Sequence, residues 1–190
     1  MANTDKIKRT QSPENLVWID LEMTGLDVDS DVIVQAAVII TDGQLNPLEE
    51  YACDVWQPEP RLATMSPFVR DMHESNGLLE RVRKSRLDTA DAEKRLLERV
   101  AGWCTYPATL CGNTVWQDRK FLDKYMPGLA RYLHYRLVDV SSLKALAQRW
   151  YGEAALYSKP KQGEHDALVD IRNSIAELAH YRRTLLRPTP

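Results

Sequence analysis

The sequence predicts one α/β domain, a mixed β-sheet flanked by helices, and three observations carry that prediction. Two β-rich apolar runs, Leu16-Val17-Trp18-Ile19 and Val32 to Thr41, stand near the amino end, and Glu50 to Trp56 reads as a third strand. Beyond them the apolar period changes, and helix patterns alternate with short strand patterns to the carboxyl end. The chain has 190 residues, 44% hydrophobic and 27% charged, which is one domain's length and an ordinary globular composition. No internal repeat and no second-domain linker interrupts it.

Residues 1–14 are polar and aperiodic, so they read as a flexible N-terminal tail, ahead of a domain spanning 15–187 and a C-terminal tail at 188–190. The first strand opens at Leu16 and ends near Met23-Thr24-Gly25. The second, Val32 to Thr41, is almost continuously apolar, as a strand covered on both faces should be. Asp42-Gly43 marks a turn, and the short connections favour antiparallel neighbours among the first three strands. From about Asp88 to Cys104, the spacing of Leu96, Leu97, Val100, Trp103 and Cys104 predicts a helix. Pro107 to Val115 reads as a short strand, followed by a helix through Phe121, Leu122 and Tyr125 that stops at Pro127-Gly128. Tyr135 to Val140 predicts another strand, leading into a helix with Leu143, Leu146, Ala147 and Trp150. The last helix runs from about His165 to Leu186 on a stripe of Leu168, Ile171, Ile175, Leu178 and Leu185.

Charge and cysteine usage narrow the function. The chain carries 25 Lys+Arg against 27 Asp+Glu, a net charge of −2. Proteins that grip long nucleic acid by its backbone carry a basic excess, so a nucleic-acid ligand here would be short or held through metal ions. No apolar run approaches the ~20 residues that span a bilayer, and no signal-peptide pattern opens the chain. Three cysteines, Cys53, Cys104 and Cys111, have neither disulfide-framework nor zinc spacing. A reduced, cytoplasmic protein with no membrane partner is expected.

The acidic residues carry the chemistry. Asp20 and Glu22 interrupt the first strand at alternate positions, so both carboxylates project from one face. Two such groups repel each other and are costly to desolvate, a cost that a divalent cation relieves; a strand end emerging into solvent would relieve it equally. Asp118 stands at a helix start, where the helix dipole alone would favour it. The last helix opens Gly163-Glu164-His165-Asp166-Ala167-Leu168-Val169-Asp170, with Asp166 and Asp170 four apart on one face. Taken alone this segment is an acid-rich helix start, and the residues by themselves do not choose between Asp166 and Asp170.

The ordered set resembles the oligoribonucleases, members of the DEDDh group of 3′-to-5′ exonucleases with a ribonuclease H-like fold. Trp18 to Leu26 is similar to the family's first motif. Cys111-Gly112-Asn113-Thr114, Gln117 to Leu122 and Lys124 to Pro127 resemble the second. His134-Tyr135-Arg136, Asp139-Val140-Ser141 and Arg149-Trp150 resemble a stretch distinctive of oligoribonucleases, and Lys161 to Arg172 with Ser174 resembles the third motif.

The resemblance implies metal-binding carboxylates at Asp20, Glu22, Asp118 and Asp170, two Mg²⁺ or Mn²⁺ ions, and His165 as general base. In the reaction that the resemblance implies, water attacks phosphorus and a 5′-nucleoside monophosphate leaves the 3′ end. It further implies substrate contacts at Leu26, Phe68, His73, Thr114, Gln117, Tyr135, Arg136 and Ser141, some of them from the partner of a homodimer. Short single-stranded RNA and dinucleotides are the implied substrates. Phe68 could instead be core, His73 a surface residue, and Ser141 the cap of the helix carrying Leu143. Three positions depart from the pattern: Phe68 where the family usually has Trp, Gln35 where it commonly has Glu, and Thr114 where Ser is usual. Two rivals are a related exonuclease acting on DNA or longer RNA and a non-catalytic module on a degenerate nuclease fold, though modules of the second kind usually lose an acid or the histidine. An NAD-dependent oxidoreductase is set aside, because no G-x-G-x-x-G follows the first strand.

Overall fold

The structure, a computed structural model, describes residues 9–160 and 166–186. Strands β1 (Leu16–Met23), β2 (Ile33–Thr41), β3 (Pro47–Asp54), β4 (Ala108–Gly112) and β5 (Leu133–Asp139) form one sheet in the order β3-β2-β1-β4-β5. β1, β2 and β3 pair antiparallel, whereas β4 pairs parallel with both β1 and β5. The mixed sheet and the antiparallel opening agree with the sequence reading. Every residue of β2 is buried, as its unbroken apolar run requires.

Helices cover both faces. α4 (Thr89–Trp103) starts at Asp88, whose side chain accepts from Asp91 N at 2.8 Å, and it buries Ala92, Leu96, Val100 and Trp103 along one stripe. With α5 (Val115–Tyr125) and α6 (Pro127–Tyr132) it encloses Val17, Ile19, Leu21, Val38 and Ile40 on the first face of the sheet. The other face packs Trp18, Ala37 and Ile39 against α7 (Val140–Tyr151) and α8 (Ala167–Thr184) through Val140, Ala147, Ala167 and Ile171. Trp18 is fully buried there, and its indole N–H donates to Thr41 Oγ1 at 3.1 Å. Full burial of such side chains contributes about 1.5–3 kcal/mol each.

Three short helices, α1 (Glu59–Leu62), α2 (Pro67–Ser75) and α3 (Leu78–Lys84), fill a stretch that the sequence pattern leaves unassigned. They close a small core of Val34, Leu62, Met65, Leu78, Leu79 and Val82. The remaining differences lie at boundaries. β3 starts earlier than Glu50, Val115 opens α5 rather than ending a strand, and Pro127 begins α6 instead of only stopping α5. Residues 9–14, expected within a loose tail, are bound to the domain. Arg9 grips Glu49 with two bonds of 2.6 and 2.7 Å, and Ser12 N donates to Trp103 O at 3.0 Å. These are polar contacts between segments distant in sequence, which no local periodicity reports.

Candidate active site

The site forms at the carboxyl end of β1, where the parallel and antiparallel halves of the sheet meet. Such strand ends, at a change in sheet order, are where α/β proteins bind ligands. β1 alternation sends Leu21 into the core and Asp20 and Glu22 toward α8. The strand register places Ala37 and Ala52 in line with Asp20, so the side chains beside it in this row of the sheet are small. A register shift between Glu22 and Met23 ends the regular pairing beside the acids.

Two helix starts converge on the same place. Asp170 lies in the first turn of α8, and oxygens of Asp20, Glu22 and Asp170 all lie within 4.8 Å of one another. Asp118, in the first turn of α5, is buried and accepts a 3.0 Å bond from Leu21 N, the amide between the two strand acids. The structure thus draws all four predicted carboxylates into one neighbourhood, three in a close group and the fourth fastened to the strand that carries two of them. His165 lies outside the described residues. Asp166 takes a different part from Asp170: it caps α8, accepting from Val169 N at 3.3 Å.

Burial and like charge act together on these acids. Desolvation, then Asp118, Glu22 and Asp170, pushes Asp20 well above the usual carboxylate range, with Lys159 pulling the other way. Glu22 is raised to about 8 by burial and by Asp170, Asp118 and Asp166. Asp118 rises to about 7, mainly from burial, although the Leu21 amide favours its charged form. A compact set of hard oxygen donors that resist ionising in one another's company fits a divalent cation.

The surrounding residues divide into three groups. Leu26, 73% exposed, projects from the loop after β1 and is held by Gln117, whose Nε2 donates to Leu26 O at 2.7 Å. That loop is braced on Asp31, which accepts from Thr24 Oγ1 at 2.8 Å and Asp27 N at 3.0 Å. A Cβ at Gly25 would meet the Asp31 carboxylate at 2.4 Å, so any other residue there would displace the side chain that braces the loop. Phe68 is 75% exposed on α2, so it is not a core residue. His73, on the same helix, is fully buried with Nε2 3.0 Å from Met23 O; its ring supports the strand end rather than lying on the surface.

Thr114 precedes α5 with φ 51, a left-handed conformation uncommon for a β-branched residue. It is held there by Asp139 Oδ1 and Ser141 Oγ, which accept from Thr114 N at 3.0 and 2.7 Å. Ser141 is not the cap of α7; Asp139 is, accepting from Ser141 N at 2.9 Å. Tyr135 and Arg136 are not brought to the carboxylates. They sit on the outer strand β5, two strands from β1 and three or four residues before its carboxyl end, about 10–13 Å along the strand.

Two further supports stand on residues that the sequence resemblance marks without giving them a role. Asn113 Nδ2 donates to Ser174 Oγ at 2.9 Å and Glu177 Oε2 at 3.1 Å, tying the end of β4 to α8. Gln35 bonds the first residue of α8. Both depend on partners far away in the chain.

Comparison with known proteins agrees with this geometry. The family model RNase_T, described as Exonuclease, matches residues 17–178. The chain is 48% identical over 178 residues to an Oligoribonuclease of Francisella tularensis subsp. tularensis, covering 93% of this chain and 98% of that protein. It is 49% identical to an Oligoribonuclease of Alkalilimnicola ehrlichii (93% and 92% covered) and 47% identical to one of Photorhabdus laumondii subsp. laumondii (94% and 99% covered). Among solved structures, a zinc-bound complex of E. coli ExoI with single-stranded DNA superposes with a TM-score of 0.74 at 15% identity, covering 94% of this chain and 42% of that one. Exonuclease I from Methylocaldum szegediense gives a TM-score of 0.71 at 19% identity, with 90% and 41% covered. At those identities the likeness concerns the fold.

Proposed function

We propose, from the premise that this chain belongs to the oligoribonuclease family of exonucleases, that it hydrolyses very short RNA, dinucleotides included, from the 3′ end to 5′-nucleoside monophosphates. The observation that carries this reading is the gathering of Asp20, Glu22 and Asp170 within 4.8 Å at the end of β1, with Asp118 anchored beside them.

We assign the binding of two divalent cations, Mg²⁺ or Mn²⁺, to these four carboxylates. Held there, such ions would supply positive charge beside the phosphate and Lewis acidity toward a bound water. The residues supply the remainder. Asp20 and Glu22, fixed on a central strand, and Asp170, fixed on a packed helix, hold their oxygens at set positions, so little reorganisation accompanies the reaction. His165 is assigned to take the proton from the attacking water, a task that imidazole suits as the usual general base of enzymes. Leu26 and Phe68, both exposed apolar side chains, are assigned to bracket the terminal bases, a sequence-tolerant contact. Thr114 and Ser141 are assigned to the terminal phosphate, and the strained backbone at Thr114 supports that placement.

A homodimer belongs to the same reading. Tyr135 is 75% exposed on an edge strand with Arg136 beside it, and neither reaches its own chain's acids, so a second copy is the natural place for them to act. The cytoplasm is the assigned location. No helix among the described residues is long and apolar enough to cross a membrane.

A time course on equimolar 5′-phosphorylated RNAs, from dinucleotide to twenty-mer, with Mg²⁺ or Mn²⁺ and an EDTA control, tests the reading. The dinucleotide should be consumed fastest and only with metal. Rapid loss of the twenty-mer, with dinucleotide left over, would make the chain an exonuclease of longer strands. Arg136→Ala should lower kcat/KM for a 5′-phosphorylated dinucleotide by about 10- to 100-fold, the worth of one charge-assisted bond. It should leave the unphosphorylated form much less affected. Equal losses on both would make Arg136 structural.

A further inference from the structure

Gln35 places a buried amide in the row of polar side chains that crosses the sheet beside the carboxylates. Its backbone pairs with Glu22 on one side and Asp54 on the other, and the residue is 4% exposed. Nε2 donates to Asp54 Oδ1 at 2.8 Å, and Oε1 accepts from Ala167 N at 3.1 Å. Asp54 uses its second oxygen to accept from Arg81 Nε at 3.1 Å.

The amide can point in only one direction. An N–H at Ala167 requires an oxygen, and a carboxylate at Asp54 requires an N–H. Ala167 is the first residue of α8, and its N–H is one of the amides that a helix start leaves without an internal partner. Asp166 satisfies Val169 N, and Gln35 satisfies Ala167 N. Asp170 follows within the same first turn.

We propose that Gln35 is a positioning residue of the active site: its amide seats the start of α8 on β2 and so sets where the Asp170 carboxylate stands against Asp20 and Glu22. Arg81 and Asp54 hold the amide in the required direction. The part that concerns metal rests on the functional reading above; the seating of α8 does not.

The chemistry of the pair supplies a specific test. Gln35→Glu keeps an acceptor for Ala167 but faces Asp54 with acceptors on both sides and no proton between them. Adding Asp54→Asn restores a donor toward the introduced carboxylate and still offers an oxygen to Arg81. The double variant Gln35→Glu/Asp54→Asn therefore rebuilds every bond with the polarity of one reversed, and leaves the net charge of the pair unchanged.

The measurements are Mn²⁺ binding by calorimetry, and amide hydrogen exchange at Ala167 in the metal-free full chain. Gln35→Leu and Gln35→Glu should each weaken Mn²⁺ binding by about 10- to 100-fold, the usual effect of removing a group that orients a ligand. Exchange at Ala167 should accelerate in Gln35→Leu, and turnover lost at low Mn²⁺ should return as Mn²⁺ is raised. Gln35→Glu/Asp54→Asn should recover most of the affinity that Gln35→Glu loses. The proposal is overturned if Gln35→Leu binds Mn²⁺ within about twofold of the parent chain with Ala167 exchange unchanged, or if the double variant is no better than Gln35→Glu. Should Gln35→Leu fail to fold, the comparison of Gln35→Glu with the double variant decides. A parent chain that neither binds Mn²⁺ nor cleaves RNA would defeat the functional reading, while Ala167 exchange would still judge the seating of α8.

Discussion

Asp20→Ala and Asp170→Asn should each reduce RNA turnover by at least about a thousandfold, the scale of losing several kcal/mol of transition-state stabilisation. Both should leave the fold intact. Asp20 is in line only with Ala37 and Ala52, and removing its carboxylate relieves a crowded set of acids. Asp170→Asn keeps the shape of the side chain and removes its charge. The metal-free variants should therefore melt at or above the parent temperature while losing activity and Mn²⁺ binding together. Activity within tenfold of the parent in either variant would sink the site assignment. A variant that loses activity because it unfolds would show instead as a lower melting temperature.

The second large effect concerns pH. In the unfolded chain these carboxyls titrate near 4, whereas in the fold Glu22 titrates at about 8, Asp118 at about 7, and Asp20 well above its ordinary range. Between those values the folded chain holds more protons than the unfolded chain, so metal-free stability falls as pH rises. Each such group contributes about 1.4 kcal/mol per pH unit below its raised value, so from pH 5 to pH 8 the fall should reach several kcal/mol and lower the melting temperature by at least about 10 °C for a domain of this size. Mn²⁺ should reverse it, with an increment that grows with pH, because the ion binds the deprotonated carboxylates. Melting curves with EDTA and with Mn²⁺ across that range check the claim. A metal-free melting temperature that stays flat or rises between pH 5 and pH 8 would contradict it.

What could be read from the residues, and what could not, follows from the range over which each feature is determined. The pair Asp20/Glu22 was legible because strand alternation is local: two acids on one face of an apolar strand contradict their surroundings within eight residues. The stripes of α4 and α8 were legible for the same reason at the helical period. The helices between residues 59 and 84 span four, nine and seven residues, too short for a period to declare itself. Asp166 and Asp170 look equivalent at a spacing of four and separate only when the helix begins at Ala167, making one a cap and leaving the other among the strand acids. Gln35, Asn113 and Asp139 act through partners 132, 61 and 25 positions away, contacts that only the fold creates. Ser141 illustrates the limit well. Its closeness to a helix start was visible, but its bond to Thr114, which holds a strained turn beside the site, was not.

The placement of Trp18 gives the molecule an optical reporter. Of the five tryptophans in the sequence, Trp56, Trp116 and Trp150 are 45, 49 and 68% exposed and emit in contact with water, whereas Trp103 is buried in the stripe of α4 and Trp18 is sealed beneath α8, two residues before Asp20 and on the same face of β1. Its emission is that of an indole in an apolar enclosure with a single fixed hydrogen bond, blue-shifted from the exposed three and out of reach of aqueous quenchers. With Trp103 replaced by Phe, the blue edge of the fluorescence spectrum would report on the packing of α8, and Mn²⁺, a paramagnetic quencher, bound at the carboxylates would dim it from two residues away along β1.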